Sequence, residues 1–172
     1  MKLLIFSDSH YRTEPMYSVA EKYSSVIDGI IHLGDCTEDI SGFKTICPDI
    51  PIYNVRGNND YENGCPAERT VPIAGHTIFM THGHRQRVYY NTDTLYYTAA
   101  QNGADIALFG HTHVPYLQNE NGILIMNPGS ISLPRSSVEK TFAFITFENR
   151  KAEAVIMKIG HDGISKLASL SF

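Results

Sequence analysis

Five short apolar runs in this chain each stop abruptly at residues able to hold a cation, and that repeated ending limits the available folds. Residues 3–6 run into Ser7-Asp8-Ser9-His10, residues 30–33 into Gly34-Asp35, and residues 52–55 lead to Gly57-Asn58-Asn59-Asp60. Residues 77–81 run into His82-Gly83-His84, and residues 106–109 into Gly110-His111-Thr112-His113. Continuous apolar runs of this length read as strands buried on both faces. Helical patterns between them point to βαβ units and a parallel sheet core. Ligands gather beyond the carboxyl ends of the strands in open sheets of this kind, so the five endings are expected to share one site. Residues i and i+2 of an extended segment face the same way, which lets His111 and His113 converge.

The spacing predicts a helix over residues 14–28, with Met16, Val19, Ala20, Tyr23, Val26 and Ile27 on one stripe, Thr13 as cap and Pro15 in the first turn. A shorter helix is expected over about 38–46 and a third over about 92–102, with Gly103 closing it. Residues 61–70 read as a loop. Asn121-Gly122 between residues 116–120 and 123–126 is a strong hairpin signal, and residues 141–147 and 152–159 form a second hairpin through residues 148–151. The chain therefore reads as α/β for two thirds and antiparallel for the last third. At 172 residues it is expected to be one layered domain with two packed sheets.

A net charge of −4 argues against broad nucleic-acid binding, which needs a basic face. Hydrophobic residues at 42% and charged residues at 19% carry no signature of disorder. Cys36, Cys47 and Cys65 form no C-x-x-C pair and leave an odd count, so a disulfide framework is not expected. The first apolar run is too short for a signal peptide, and no window is long enough for a membrane span. A cytoplasmic location is the expectation.

Of the eight histidines, His10, His82, His84, His111 and His113 follow expected strands, whereas His32, His76 and His161 read as satisfied or solvated imidazoles. A ligand set of Asp, Asn and His without Cys disfavours structural zinc. It contains more groups than one divalent ion needs, which points to two. Imidazole with carboxylate suits manganese, iron, zinc or nickel. Arg12, Arg56, Arg85 and Arg87 adjoin these blocks and read either as solvated surface charges or as planar forks for phosphate. Tyr89, Tyr90, Tyr96 and Tyr97 read as core or interface residues, with stacking on a ligand ring as the other possibility. Cys36 reads as a small apolar packing residue.

The order Asp8-x-His10, Gly34-Asp35, Gly57-Asn58-Asn59-Asp60, His82-x-His84, Gly110-His111-x-His113 resembles the calcineurin-like metallophosphoesterase superfamily, over nearly the whole chain. The compact length, Asn127-Pro128-Gly129-Ser130 and Pro134-Arg135 resemble its small prokaryotic branch, the YfcE-type phosphodiesterases. The resemblance implies a four-layer α-β-β-α sandwich. It also implies one ion on Asp8, His10 and His113, another on Asn58, His82 and His111, and Asp35 bridging both. A bridging hydroxide would then attack phosphorus in a small phosphoester, with no protein nucleophile. Many relatives carry His where this chain has Asn59, which cannot deliver a proton, so phosphodiesters with acidic leaving groups are expected. His84 is the other catalytic candidate, as acid or as site lining. Alternative readings of the same fold are a phosphomonoesterase, acting on nucleotides or proteins, and a non-catalytic scaffold such as that of the retromer coat. A DNA-repair nuclease fits less well, and a homo-oligomer remains open.

Overall fold

Alternation along the first strand sets the layering of the molecule. In β1 (Lys2–Phe6), Leu3 and Ile5 point to one side and Leu4 and Phe6 to the other, and all four are fully buried. A strand buried on both faces must be covered twice, here by a second sheet on one side and by helices on the other. The computed structural model describes residues 1–61, 64–135 and 139–172.

The first sheet joins β1 in parallel to β2 (Gly29–His32) and, through it, to β3 (Ile52–Asn54). On its other side β1 pairs antiparallel with β9 (Lys140–Glu148), which continues to β10 (Lys151–Gly160) and β11 (Gly163–Ser171). The second sheet runs in the order β4 (Glu68–Ile73), β5 (His76–Thr81), β6 (Ile106–Leu108), β8 (Ile123–Asn127), β7 (Tyr116–Glu120). Leu3, Ile5, Ile78, Met80, Leu124 and Ile145 pack between the two sheets. Leu4, Phe6, Phe142 and Phe144 face α1 (Glu14–Tyr23) and α2 (Phe43–Ile46), while Phe79, Ala107 and Ile125 face α3 (Asp93–Gln101). The result is the expected α-β-β-α sandwich of two mixed sheets.

The departures have local causes. Helix α1 ends at Tyr23, short of residue 28, and Val26 is exposed rather than on the buried stripe. Asp28 instead accepts the Lys2 backbone N–H at 2.6 Å. Thr13 sits at the N-cap but makes no side-chain cap bond. The helix expected over 38–46 is a 3-10 turn, Thr37–Gly42, followed by the single turn of α2. Strand β4 occupies the end of the expected loop and extends beyond it; within that loop, Glu62 and Asn63 lie outside the described residues. Pro72 is tolerated there because β4 is an edge strand. The last third is not wholly antiparallel, since β8 pairs in parallel with β6. Both expected hairpins form, with Asn121-Gly122 and Asn149-Arg150 at positive φ as tight two-residue turns require.

Leu3→Ala should remove about 2–5 kcal/mol of stability, because the cavity would open between two sheets that cannot collapse locally. Leu167→Ala, at a side chain 47% exposed, should cost well under that. Urea denaturation of the two variants checks the layering, and equal losses would contradict it.

Candidate metal centre

Where the strands end, the backbone turns sharply and brings side chains from distant parts of the chain together. Asp8, His10, Asp35, His111 and His113 adopt φ of 57°, 46°, 49°, 66° and 59°. Asp and His tolerate this left-handed region better than most non-glycine residues, and such conformations cluster at functional sites. The glycines beside them allow close approach. A Cβ at Gly57 would collide with the Asp35 carboxylate, and one at Gly110 with Ser7 Oγ and the Asp8 carboxylate.

The convergence is tight. His113 Nε2 lies 3.2 Å from Asp8 Oδ1, His82 Nε2 lies 3.4 Å from Asp35 Oδ2, and His10 Nε2 lies 3.7 Å from Asp35 Oδ2. His82 Nε2 is also 3.9 Å from Asp8 Oδ1, and His10 Nε2 is 3.2 Å from His113 Nε2. Ligand atoms of Asp8, His10 and His113 form one group, and those of Asp8, Asp35 and His82 a second, each within 4.8 Å. Asp8 Oδ1 and His82 Nε2 are buried and lack an aligned hydrogen-bond partner. Unpartnered buried atoms of this kind cost about 1–3 kcal/mol each, and a divalent cation would satisfy both. Carboxylate and imidazole donors suit such an ion, so the residues present fit one.

The electrostatics agree. Burial alone would raise the Asp8 pKa, but His113 and His82 outweigh it and hold it below 3.8. Burial is likewise outweighed at Asp35, where His82 and the Asn59 amide keep the carboxylate ionised. Each of these aspartates is therefore charged at neutral pH inside a nearly closed site.

A surrounding layer fixes the ligand geometry. His82 Nδ1 bonds the Leu33 carbonyl at 2.7 Å and His113 Nδ1 the Leu133 carbonyl at 2.6 Å, which turns each Nε2 toward the aspartates. Ser130 and Ser132 donate to the Asp8 carbonyl at 2.8 and 2.9 Å, and Asn127 donates to the Gly110 carbonyl at 2.7 Å. The segment 127–130, noted only by resemblance, thus acts by holding two strand ends in place. Asp60, absent from the sequence-derived ligand set, accepts from the backbone of Asp35, Thr37 and Gly57 at 2.9, 2.6 and 2.6 Å. Its place at the end of Gly57-Asn58-Asn59-Asp60 was the available signal. His32 is fully buried and satisfied, with Nε2 on Ser9 Oγ at 3.1 Å and Nδ1 accepting from the Gly34 N–H at 3.3 Å.

Other expected residues stand at different distances from the centre. The His111 ring lies 5.1 Å from that of His82, and its backbone N–H donates to Asp8 Oδ2 at 3.1 Å. Asn58 is exposed, and among the described residues no hydrogen bond joins it to the cluster. Asn59 engages Asp35 instead, through its backbone N–H at 2.9 Å and its side-chain amide at 2.6 Å. The His84 ring lies 5.6 Å from that of His82 and 6.0 Å from that of His111. Burial, then the charges of His82, Arg85 and Arg56, lower its pKa. Arg12 is exposed, with its backbone N–H on the Ser9 carbonyl. Arg135 was not among the substrate-binding candidates, yet it reaches the hydroxyl of Tyr89, whose ring packs 4.7 Å from that of His111.

Comparison with known proteins gives a consistent set of likenesses. The family model of the calcineurin-like phosphoesterase superfamily domain matches residues 1–150. The chain is 35% identical over 153 residues to the probable metallophosphoesterase YsnB of Bacillus subtilis, covering 88% of each. It is 31% identical over 68 residues to the phosphodiesterase YfcE of Escherichia coli, covering 40% of this chain and 33% of that one. The structure of Vps29 from Entamoeba histolytica complexed with zinc superposes with a TM-score of 0.83 at 18% identity, covering 99% of each chain, which is a likeness of fold.

Acid should destabilise the ion-free protein. Burial lowers His10, His32, His84 and His111 from 6.5, His111 to about 4. Such groups stay neutral in the fold while the unfolded chain takes up protons, so their contribution is present above pH 6.5 and lost below it. His82 and His113 are raised, their aspartate neighbours outweighing burial, and they lose their contribution only as pH rises above 6.5. Thermal unfolding in chelator should therefore show stability falling from pH 6.5 toward pH 4, and a flat profile there would contradict these neutral imidazoles.

Proposed function

The chain belongs to the calcineurin-like phosphoesterase superfamily, and from that premise we propose that it is a divalent-metal-dependent phosphodiesterase. Membership implies divalent metal ions, and the observation that supports hydrolysis most directly is the buried pair Asp8 Oδ1 and His82 Nε2, both left without aligned partners. In the proposed centre Asp8, His10 and His113 would hold one ion, and His82 and His111, with Asn58 as a further candidate, would hold a second. Asp35, which lies near both His10 and His82, would be shared between them. When bound, the ions supply Lewis acidity that acidifies water and neutralises charge building on the phosphoryl oxygens.

The chain's own groups then divide the remaining work. Water attacks phosphorus in line with the leaving oxygen; the new O–P bond forms as the ester P–O bond breaks, the leaving oxygen departs with the electron pair, and the proton lost by the attacking water passes to solvent. Asn59 cannot protonate that oxygen, and its amide is already engaged by Asp35. Burial and nearby positive charge lower the His84 pKa, which disfavours the protonated form that a general acid needs. A site without a strong general acid favours leaving groups that depart as stable anions. This supports diesters of acidic alcohols over protein phosphomonoesters. The likeness to the phosphodiesterase YfcE, though confined to 68 residues, points the same way. Vps29 shares the fold, so shape alone does not separate enzyme from scaffold, and the filled acidic and imidazole set favours the enzyme.

Protein stripped with chelator and reloaded with manganese should hydrolyse bis(p-nitrophenyl) phosphate in preference to p-nitrophenyl phosphate. Asn59→His should raise turnover of esters with poor leaving groups by about 10²-fold or more. Metal-independent turnover, or a preference for the monoester, would contradict the proposal.

A further inference from the structure

A cleft of about 420 Å³ opens against the outer side of the metal centre, lined mainly by Val88, Tyr89, Tyr90, Phe109, Val114 and Tyr116. Its size is that of a small-molecule site, and its walls are largely apolar and aromatic. Thr112, between His111 and His113, also lines it, so the cleft and the centre share one stretch of chain. Tyr89 joins them further: its hydroxyl donates to the His111 carbonyl at 3.0 Å, and its ring packs edge-on to the His111 ring at 4.7 Å. Tyr89 and Tyr90 are 51% and 88% exposed, and Val114 is 36% exposed, an apolar surface that folding leaves uncovered. The Arg135 guanidinium stands 5.8 Å from the Tyr89 ring centre and bonds its hydroxyl, bringing one positive charge to the mouth of the cleft.

We propose that this cleft is the subsite for an aryl group esterified directly to the substrate phosphate. The inference rests on the phosphodiesterase reading above and narrows it. Two independent features select that occupant. Asn59 cannot supply a proton to the leaving oxygen, which favours phenolate-type leaving groups, and the cleft that adjoins His111 through Tyr89 and Thr112 presents aromatic faces. With the Tyr89 ring 4.7 Å from that of His111, an aryl ring bonded directly to the phosphate oxygen would lie beside Tyr89. Arg135 complements the single negative charge that a diester retains.

The test uses manganese-loaded protein and two non-hydrolysable probes, phenylphosphonate and methylphosphonate, with dissociation constants measured by calorimetry. The wild type should bind phenylphosphonate about tenfold more tightly, and the gap should close in Tyr90→Ala and in Val114→Glu. The same variants should raise KM for bis(p-nitrophenyl) phosphate by about tenfold while the inhibition constant of inorganic phosphate stays constant. Tyr90 is almost fully exposed, so its truncation leaves the fold intact. Equal affinity for the two phosphonates, with wild-type KM in both variants, would overturn the aryl subsite and leave the phosphodiesterase reading standing. Failure of both probes to bind, together with no hydrolysis, would overturn the two together.

Discussion

Two ionised carboxylates, Asp8 and Asp35, sit almost completely out of solvent and face the ring nitrogens of His10, His82 and His113. Isolated charges in that position would cost several kcal/mol each. The fold tolerates them because two sheets deliver imidazoles to the same point. β1 and β2 carry the aspartates, while the chain after β5 and β6 carries His82, His111 and His113. Neither sheet could build this centre alone, so the sandwich is the means by which the charges are matched.

The neighbouring hydrogen bonds explain why the arrangement stays in register. Asp60 ties the loop after β3 to the loop after β2, and Ser130 and Ser132 tie the segment after β8 to Asp8. Asn127 links that same segment to the turn before His111. These contacts are made largely to backbone, so they fix the positions from which ligands project rather than the ligands themselves. Loss of such a supporting partner typically costs about 10–100-fold in metal affinity or activity.

Much of this was legible in the sequence because the chemistry of the strand ends is local. An apolar run followed by Asp, Asn or His announces both a buried strand and a polar tip, and Asp8, His10, Asp35, His82 and His113 indeed converge. What escaped was set by tertiary partners. β4 contains Glu68, Arg69 and Pro72 and looks like a loop until its edge position is known. β11, with Ser at three of its nine positions, carries no clear strand signal; it too is an edge strand whose alternation is only partly buried. The role of Asp60 depends on backbone groups more than twenty residues away, and that of Arg135 on Tyr89, 46 positions earlier. Within the same block it is Asn59 that engages the Asp35 carboxylate, a choice between adjacent asparagines that spacing does not make.

Everything proposed for this protein turns on a pair of cations held around Asp35. Crystals grown with manganese and measured at its absorption edge would test this most directly. Two anomalous peaks, flanking the Asp35 carboxylate and within bonding reach of Asp8 and His82, are the expected result. A single peak elsewhere, or none within reach of these side chains, would contradict it.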